Sequence, residues 1–147
     1  MTVEAAAGNV AGNLEMNVSP DLYGSSFFDS GSANGGPGRH LKRVTIRTLD
    51  EIARSEGIRG RGLLKIDVQF SEHLALAGAA QFLKNVDAIF LEVSLRRFVP
   101  ECKTFVEIMN QLHGLGFRYG DYAGSWRNPS TGELLQQDAV FVRSLPV

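Results

Sequence analysis

The chain has little cysteine, little net charge and no long apolar run. Cys102 is its only cysteine, which excludes an internal disulfide and is typical of a reducing compartment, and a structural role is favoured over a reactive one. The formal net charge is -1, so the overall charge favours neither nucleic acid nor an anionic membrane as a partner. No stretch approaches the ~18 apolar residues of a membrane-spanning helix.

The start of the chain lacks the features of a secretory signal. MTVEAAAGNV has no basic beginning and no long apolar core, so it is not a signal peptide and we expect a cytoplasmic protein. A chain of 147 residues is the usual size of one domain with a sizeable core. We therefore predict a single domain over residues 1–147.

The first forty residues differ in composition from the rest. Glycine and serine are concentrated in GSSFFDSGSANGGPG, which predicts a loop over residues 20–42. Residues 13–19 alternate like a short strand, and residues 2–7 are a second candidate strand that ends at Gly8.

The remaining sequence alternates strands with helices. An alternating strand from Arg43 leads to Thr48 and Glu51, whose capping-box spacing predicts a short helix that ends near Gly57. GLLKIDV reads as a strand buried on both faces, SEHLALAGAAQFLKNV as a helix, and AIFLEVSL as a second buried strand. A strand, a helix and a strand within about thirty residues form a right-handed crossover, which makes the two strands parallel neighbours.

The end of the sequence predicts a helix and a hairpin. Phe105, Ile108, Met109 and Leu112 form the stripe of an amphipathic helix closed by a nearby glycine. GFRYGDYAG and DAVFVRS flank the turn-rich NPSTGE, which predicts an antiparallel hairpin. The predicted fold class is therefore α/β, a parallel sheet that ends in an antiparallel hairpin.

Asp67 and Glu92 follow the two predicted parallel strands. Ligands of open α/β sheets bind beyond the carboxyl ends of the strands, so these two carboxylates are expected to face one crevice. Alternatively, either acid caps a helix or pairs with Lys65 or Arg96, and periodicity does not decide between these interpretations.

Several spaced motifs resemble the FkbM-type methyltransferases. They are TLDEIA, LLKIDVQ, Glu72, Leu76, the Gly78–Ala79 pair, LEV at residues 91–93, GF at 116–117, QDAVFVR and the Ser25–Ser26 pair. The resemblance implies a Rossmann-like class I fold, S-adenosylmethionine as cofactor, and methylation of a hydroxyl on a sugar, glycan or natural product. It also implies that Ser25, Ser26, Asp67 and Gln69 bind the cofactor.

The chain departs from this family in two places. It has no strand, glycine-rich turn and helix of the kind that cradles the cofactor in family members, so it resembles a truncated member without its first two or three βα units. Phe70 also stands where the family usually has glycine. Glycine would allow a positive φ or the close approach of a ligand, so Phe70 is expected to fill part of the pocket.

In such a transfer, a positioned base takes the proton of the acceptor hydroxyl. Asp67, with His73 or Glu92, is the predicted base, although His73 is more readily read as a partly exposed helix residue. A divalent metal shared by Asp67 and Glu92 is a weaker alternative, and no metal site is predicted.

The predicted partners follow from this chemistry. They are a small-molecule or glycan acceptor and a second copy or other protein that covers an exposed sheet edge, with no nucleic acid and no membrane. Two other functions remain open, a non-catalytic interaction module and a phosphate-binding domain that uses the glycine loop.

Overall fold

The computed structural model describes residues 1–20, 25–28 and 40–144. No helix in these ranges is long and apolar enough to cross a membrane. A 3₁₀ helix covers Phe82–Asn85. The other elements, in chain order, are β1 (Ala6–Ala7), β2 (Gly12–Val18), β3 (His40–Arg47), α1 (Leu49–Ser55), β4 (Gly62–Ile66), α2 (Glu72–Ala77), β5 (Val86–Ser94), α3 (Phe105–Gly114), β6 (Phe117–Arg127) and β7 (Leu134–Arg143).

The first three strands form a small sheet in the order β1-β3-β2. The strand predicted over residues 13–19 is confirmed as β2, whereas the candidate strand over residues 2–7 is only the two-residue β1. Most of the predicted loop over residues 20–42 lies outside the described residues. Its last three residues were assigned wrongly, because His40 pairs with Val18 at the start of β3 and the strand begins before Arg43.

The predicted capping box at the start of α1 is confirmed. The Thr48 hydroxyl accepts a hydrogen bond from the Glu51 amide, and the Glu51 carboxylate accepts one from the Thr48 amide, both at 3.1 Å. The helix ends at Ser55, and Gly57 follows with a φ of 65°. The two hydrogen bonds between Thr48 and Glu51 satisfy backbone donors that a helix start otherwise leaves unpaired.

The other four strands form a sheet in the order β4-β5-β7-β6. β4 and β5 are parallel, and the β6–β7 hairpin is antiparallel, both as predicted. The expectation of a parallel sheet is only partly met, because β5 pairs with β7 in the antiparallel sense. The observed class is mixed α/β with two sheets.

The single helix predicted over residues 71–86 is wrong. Helix α2 stops at Ala77, and a 3₁₀ helix follows after a break. The Asp50 carboxylate accepts hydrogen bonds from the amides of Gln81 and Phe82, so it caps a second helical turn. A Cβ at Gly78 would overlap the Gly8 carbonyl oxygen, so glycine allows the first sheet to approach at this break.

The main core lies between the four-stranded sheet and the helices. Alternate residues of β5 and β7 are buried against α2 and α3, namely Ile89, Leu91, Val93, Ala139 and Phe141. The residues between them, including Glu92 and Asp138, are only partly buried. This second face of the sheet is therefore partly open to solvent among the described residues.

The prediction that residues 62–68 form a strand buried on both faces is wrong. Ile66 is the only fully buried residue of β4, and the Leu63 side chain is 67% exposed. The reason is that β4 is an edge strand, which pairs only with β5 within residues 1–20, 25–28 and 40–144.

Candidate functional site

Three carboxylates lie on neighbouring strands of the larger sheet. Asp67 directly follows β4, whose last residue, Ile66, pairs with Leu91 of β5. Glu92 is the next residue of β5 and lies opposite Asp138 of β7. We call Asp67, Glu92 and Asp138 the carboxylate row. Asp67 and Glu92 lie on adjacent strand segments, but the expectation that they face one crevice is not met, because Asp67 lines one cavity and Glu92 lines another. Glu92 also lies two residues before the end of β5 rather than at its end.

The environment of Glu92 favours its protonated form. Burial raises the pKa of this carboxyl, and the nearby charges of Asp67 and Asp138 raise it further. The Gln136 amide donates a hydrogen bond to Glu92 Oε2 at 2.7 Å, which fixes the carboxyl group. Glu92 is therefore a partly buried carboxyl in a defined orientation, and its surroundings favour the uptake of a proton.

Asp67 is the exposed member of the row. Its side chain is 48% exposed and forms an ion pair with Lys65 at 3.6 Å. The Gln69 amide also donates a hydrogen bond to Asp67 Oδ1 at 3.2 Å. Of the two basic residues considered as partners, Lys65 pairs with Asp67, whereas Arg96 pairs with Glu133. The N-cap residue of α2 is Ser71, not Asp67.

The turn that carries Asp67 has an unusual backbone. Gln69 and Phe70 have positive φ angles of 46° and 75°, a conformation that usually costs about 1–3 kcal/mol for residues other than glycine. Ser26 donates a hydrogen bond through its hydroxyl to the Gln69 carbonyl at 2.7 Å. On the other side, Glu72 Oε1 accepts hydrogen bonds from the amides of Val68 and Phe70 at 3.4 and 3.2 Å. The turn is thus held from both sides.

Glu72 is the residue whose role sequence reasoning missed. It belongs to the family-like motif, but no periodicity indicates that its side chain folds back onto the preceding turn. Only 7% of Glu72 is exposed. Burial, partly offset by backbone hydrogen bonds, raises its pKa from 4.5 to about 7, and Glu92 adds to the rise.

Phe70 is part of a second core cluster. Its ring is 2% exposed and packs with Val99 and Cys102, and it stacks on Phe98 with the ring centroids 5.5 Å apart. Burial also raises the pKa of the Cys102 thiol, in line with a structural role for this cysteine. Phe70 therefore fills a core position at a backbone conformation that suits glycine.

We expect Phe70→Gly to lower the free energy of unfolding by roughly 2 kcal/mol. Loss of a buried phenylalanine ring usually costs about 3–5 kcal/mol, and relief of the positive φ returns about 1–3 kcal/mol. Denaturant unfolding followed by circular dichroism measures the difference. The matched control is Gln69→Gly, which relieves a positive φ without removing a buried ring and should be near neutral or stabilising. A stabilised Phe70→Gly variant would contradict the core assignment.

The two serines predicted to bind the cofactor have structural partners. Ser26 is 2% exposed, and its hydroxyl accepts a hydrogen bond from the Phe28 amide in addition to the bond it donates to Gln69. Ser25 accepts a hydrogen bond from the Ser19 amide at 3.1 Å. Ser26, Gln69 and Asp67 are therefore linked in one hydrogen-bonded series.

His73 is oriented towards a different set of residues. Its ring stacks on Phe28, with centroids 6.4 Å apart and planes 7° apart. Burial lowers its pKa, and the Lys103 charge lowers it further. Its Nδ1 atom is buried without a hydrogen-bond partner among the described residues. The contacts and charges that act on His73 thus come from outside the carboxylate row.

A cavity of about 270 Å³ lies between Ala7, Leu49 and the edge strand β4, and Asp67 and Ala75 also line it. Pockets for ligands of drug size usually measure about 300–1,000 Å³. The polar groups of Ser26 and Gln69 are already bonded within the protein. The described residues that line this cavity therefore enclose too little space for the whole of S-adenosylmethionine. They also contain no group of three potential metal ligands arranged to hold an ion.

Comparison with known proteins matches the chain to a family model. No curated protein and no solved structure matches the chain significantly. The family model for the methyltransferase FkbM domain matches residues 1–119. This range contains the turn with Asp67, the Glu72 carboxylate and Glu92, and it ends within β6. On this match, which covers most of its length, the chain belongs to the FkbM methyltransferase family.

Proposed function

We propose that this protein takes part in methyl transfer to a hydroxyl group of a sugar, glycan or natural product. The observation that carries the proposal is the placement of Asp67 beside Glu92, next to a turn that Ser26 and Glu72 hold in a strained conformation. Such strain is often concentrated at functional sites. The family membership supports methyl transfer, and the carboxylates support a hydroxyl as the acceptor.

The residues of the chain would act on the acceptor. Asp67, exposed at the end of β4, takes the proton of the acceptor hydroxyl as the new carbon–oxygen bond forms. Glu92 is held by Gln136 at 2.7 Å and receives a hydrogen bond from the acceptor when it is ionised, or donates one when it is protonated. Glu72 and Ser26 keep the turn in place, so Asp67 needs no rearrangement. S-adenosylmethionine, when bound, would supply the methyl group, and its sulfur–methyl bond would break as the carbon–oxygen bond forms, so that S-adenosylhomocysteine leaves.

This proposal is tested with the chain itself. Because the described residues provide only part of a cofactor site, we expect S-adenosylmethionine to bind with a Kd weaker than about 10 μM, since too few contacts offset the cost of fixing the ligand. Calorimetry measures this affinity, and a tighter Kd would contradict the expectation.

Transfer of a labelled methyl group is then measured at millimolar cofactor. Label found only on nitrogen or sulfur atoms of mixed acceptors would overturn the proposed O-methylation.

The open edge of β4 favours an interaction module as the second candidate function. The Leu63 side chain is 67% exposed, and the outer edge of β4 has no strand partner among the described residues. Such an apolar edge favours pairing with another chain. We expect dimers or larger species in light scattering at high concentration. A stable monomer with strongly protected amides over residues 63–68 would contradict this expectation.

A further inference from the structure

A second cavity adjoins the carboxylate row on the larger sheet. Its volume is about 150 Å³, and its lining residues are Glu92, Ser125, Trp126, Gln136, Gln137 and Asp138. Because a water molecule takes up about 30 Å³ in the liquid, this space equals roughly five waters. The cavity therefore has room for one small ring, and it shares Glu92 and Asp138 with the carboxylate row.

The lining groups select for a neutral, hydroxylated ligand. The lining residues carry two carboxyl groups, one hydroxyl, one indole and two amides, and no positively charged side chain is among them. The two amides already donate to Glu92 and to the Tyr119 hydroxyl, so their oxygens are the groups left to accept from a ligand. Ionised carboxylates that line a cavity repel a phosphate or another anion bound in it. Carboxyl and amide groups together offer both donors and acceptors, which matches alcohols because each hydroxyl donates and accepts.

Trp126 supplies an aromatic surface at the same place. Its side chain is 47% exposed, although it packs on Phe98 with the ring centroids 6.2 Å apart. Phe98 in turn stacks on Phe70 of the strained turn. The face of an aromatic ring is partly negative, so it attracts the C–H groups of a saturated ring that carries electronegative oxygens.

We propose that this cavity is the acceptor site and binds a single polyhydroxylated six-membered ring, such as a pyranose. Trp126 lies against the ring face, and Glu92, Gln136 and Asp138 bond its hydroxyl groups. This assignment rests on the proposed function, because Glu92 lines the cavity and lies on the strand next to Asp67, the proposed base.

The experiment uses the intrinsic fluorescence of Trp126, the only tryptophan of the chain. The protein is titrated, without methyl donor, with methyl glucopyranoside, galactopyranoside, mannopyranoside and rhamnopyranoside. We expect a saturable change with at least one of these glycosides, at a Kd on the order of 1 mM for a single ring. Asp138→Asn should raise this Kd at least fivefold. The matched control is Tyr122→Ala, which removes another exposed aromatic residue of β6 outside the cavity and should leave the Kd unchanged.

Further ligands decide between the alternatives. Cyclohexanol has one hydroxyl, and choline has a positive charge; equal or tighter binding of either one would overturn the assignment, as would the absence of saturable binding with every glycoside. A disaccharide that binds more tightly than its methyl glycoside would identify a glycan end rather than a free sugar. Unchanged glycoside affinity in both Asp138→Asn and Trp126→Ala, the latter measured by calorimetry, would also overturn it.

The site and the proposed function can fail separately. Glycoside binding that depends on Asp138, without methyl transfer either by the chain or by its fusion with the cofactor-binding strand, turn and helix of an active FkbM methyltransferase, would refute the function and leave the binding site. Methyl transfer to a hydroxyl acceptor that is unaffected by Asp138→Asn and Trp126→Ala would refute this acceptor site and leave the function.

Discussion

Asp67→Asn is expected to lower the rate of methyl transfer by about a hundredfold or more while hardly altering stability. Asparagine keeps the shape of the side chain and its bond with Gln69, but it cannot take a proton, and a positioned base is usually worth about 10²–10⁴ in rate. The rate is measured with a saturating acceptor. If the chain alone shows no turnover, the measurement uses a fusion with the cofactor-binding strand, turn and helix of an active FkbM methyltransferase.

The control for Asp67 is its ion-pair partner. Lys65→Met removes the exposed ion pair with Asp67, which is worth little in stability, and leaves the carboxylate in place. It should therefore keep most of the rate. Unchanged turnover in Asp67→Asn would show that the carboxylate is not the base. An equal loss of rate in both variants would show that the carboxylate has an electrostatic or structural role instead.

The second large effect is a change in the pH dependence of stability in Glu72→Gln. The pKa of Glu72 rises from 4.5 to about 7 on folding, so between these values the native state binds more protons than the unfolded state. Stability consequently falls as pH rises through this window, by roughly 3 kcal/mol in total. Glutamine keeps an oxygen for the amides of Val68 and Phe70 without this cost. The variant should match the parent protein near pH 4 and exceed it at pH 8.

Denaturant unfolding at a series of pH values checks this difference. The other titratable groups that act on Glu72 are Glu92 and Cys102, and both are present in the parent protein and in the variant.

Glu107→Gln is a control in which the pKa shift, and therefore the pH dependence of stability, has the opposite sign. Bonds with Thr104 and Arg97 lower the pKa of Glu107 to about 2, so its stabilisation is present above pH 4.5 and is lost as pH falls towards 2. Parallel curves for Glu72→Gln and the parent protein would show that Glu72 ionises freely.

Local signals predicted the elements that local interactions stabilise. The capping box at Thr48, the stripe from Phe105 to Leu112 and the turn-rich residues before β7 all depend on neighbours within a few positions. The break after Ala77 was not predictable in this way. It depends on the Asp50 carboxylate and on the approach of Gly8, and both belong to elements far away in sequence.

The candidate site shows the same division. The position of Asp67 beside Glu92 follows from parallel pairing, which the crossover unit predicts. The exposure of β4 does not follow, because an apolar run looks the same in an edge strand as in a central one. The presence of Asp138 and Gln136 beside Glu92 depends on the order of the strands, which places β7 between β5 and β6. Sequence alone did not give that order.

The hydrogen bond from Ser26 to Gln69 joins residues that are 43 positions apart. Contacts of such long sequence separation pay a loop-closure cost before they contribute, and they slow folding. The strained turn therefore reaches its final conformation only after the segment with Ser26 has docked. During refolding, the helices and the hairpin should form first, and Asp67 should reach its final position later. The protein would therefore become compact before its candidate site is assembled.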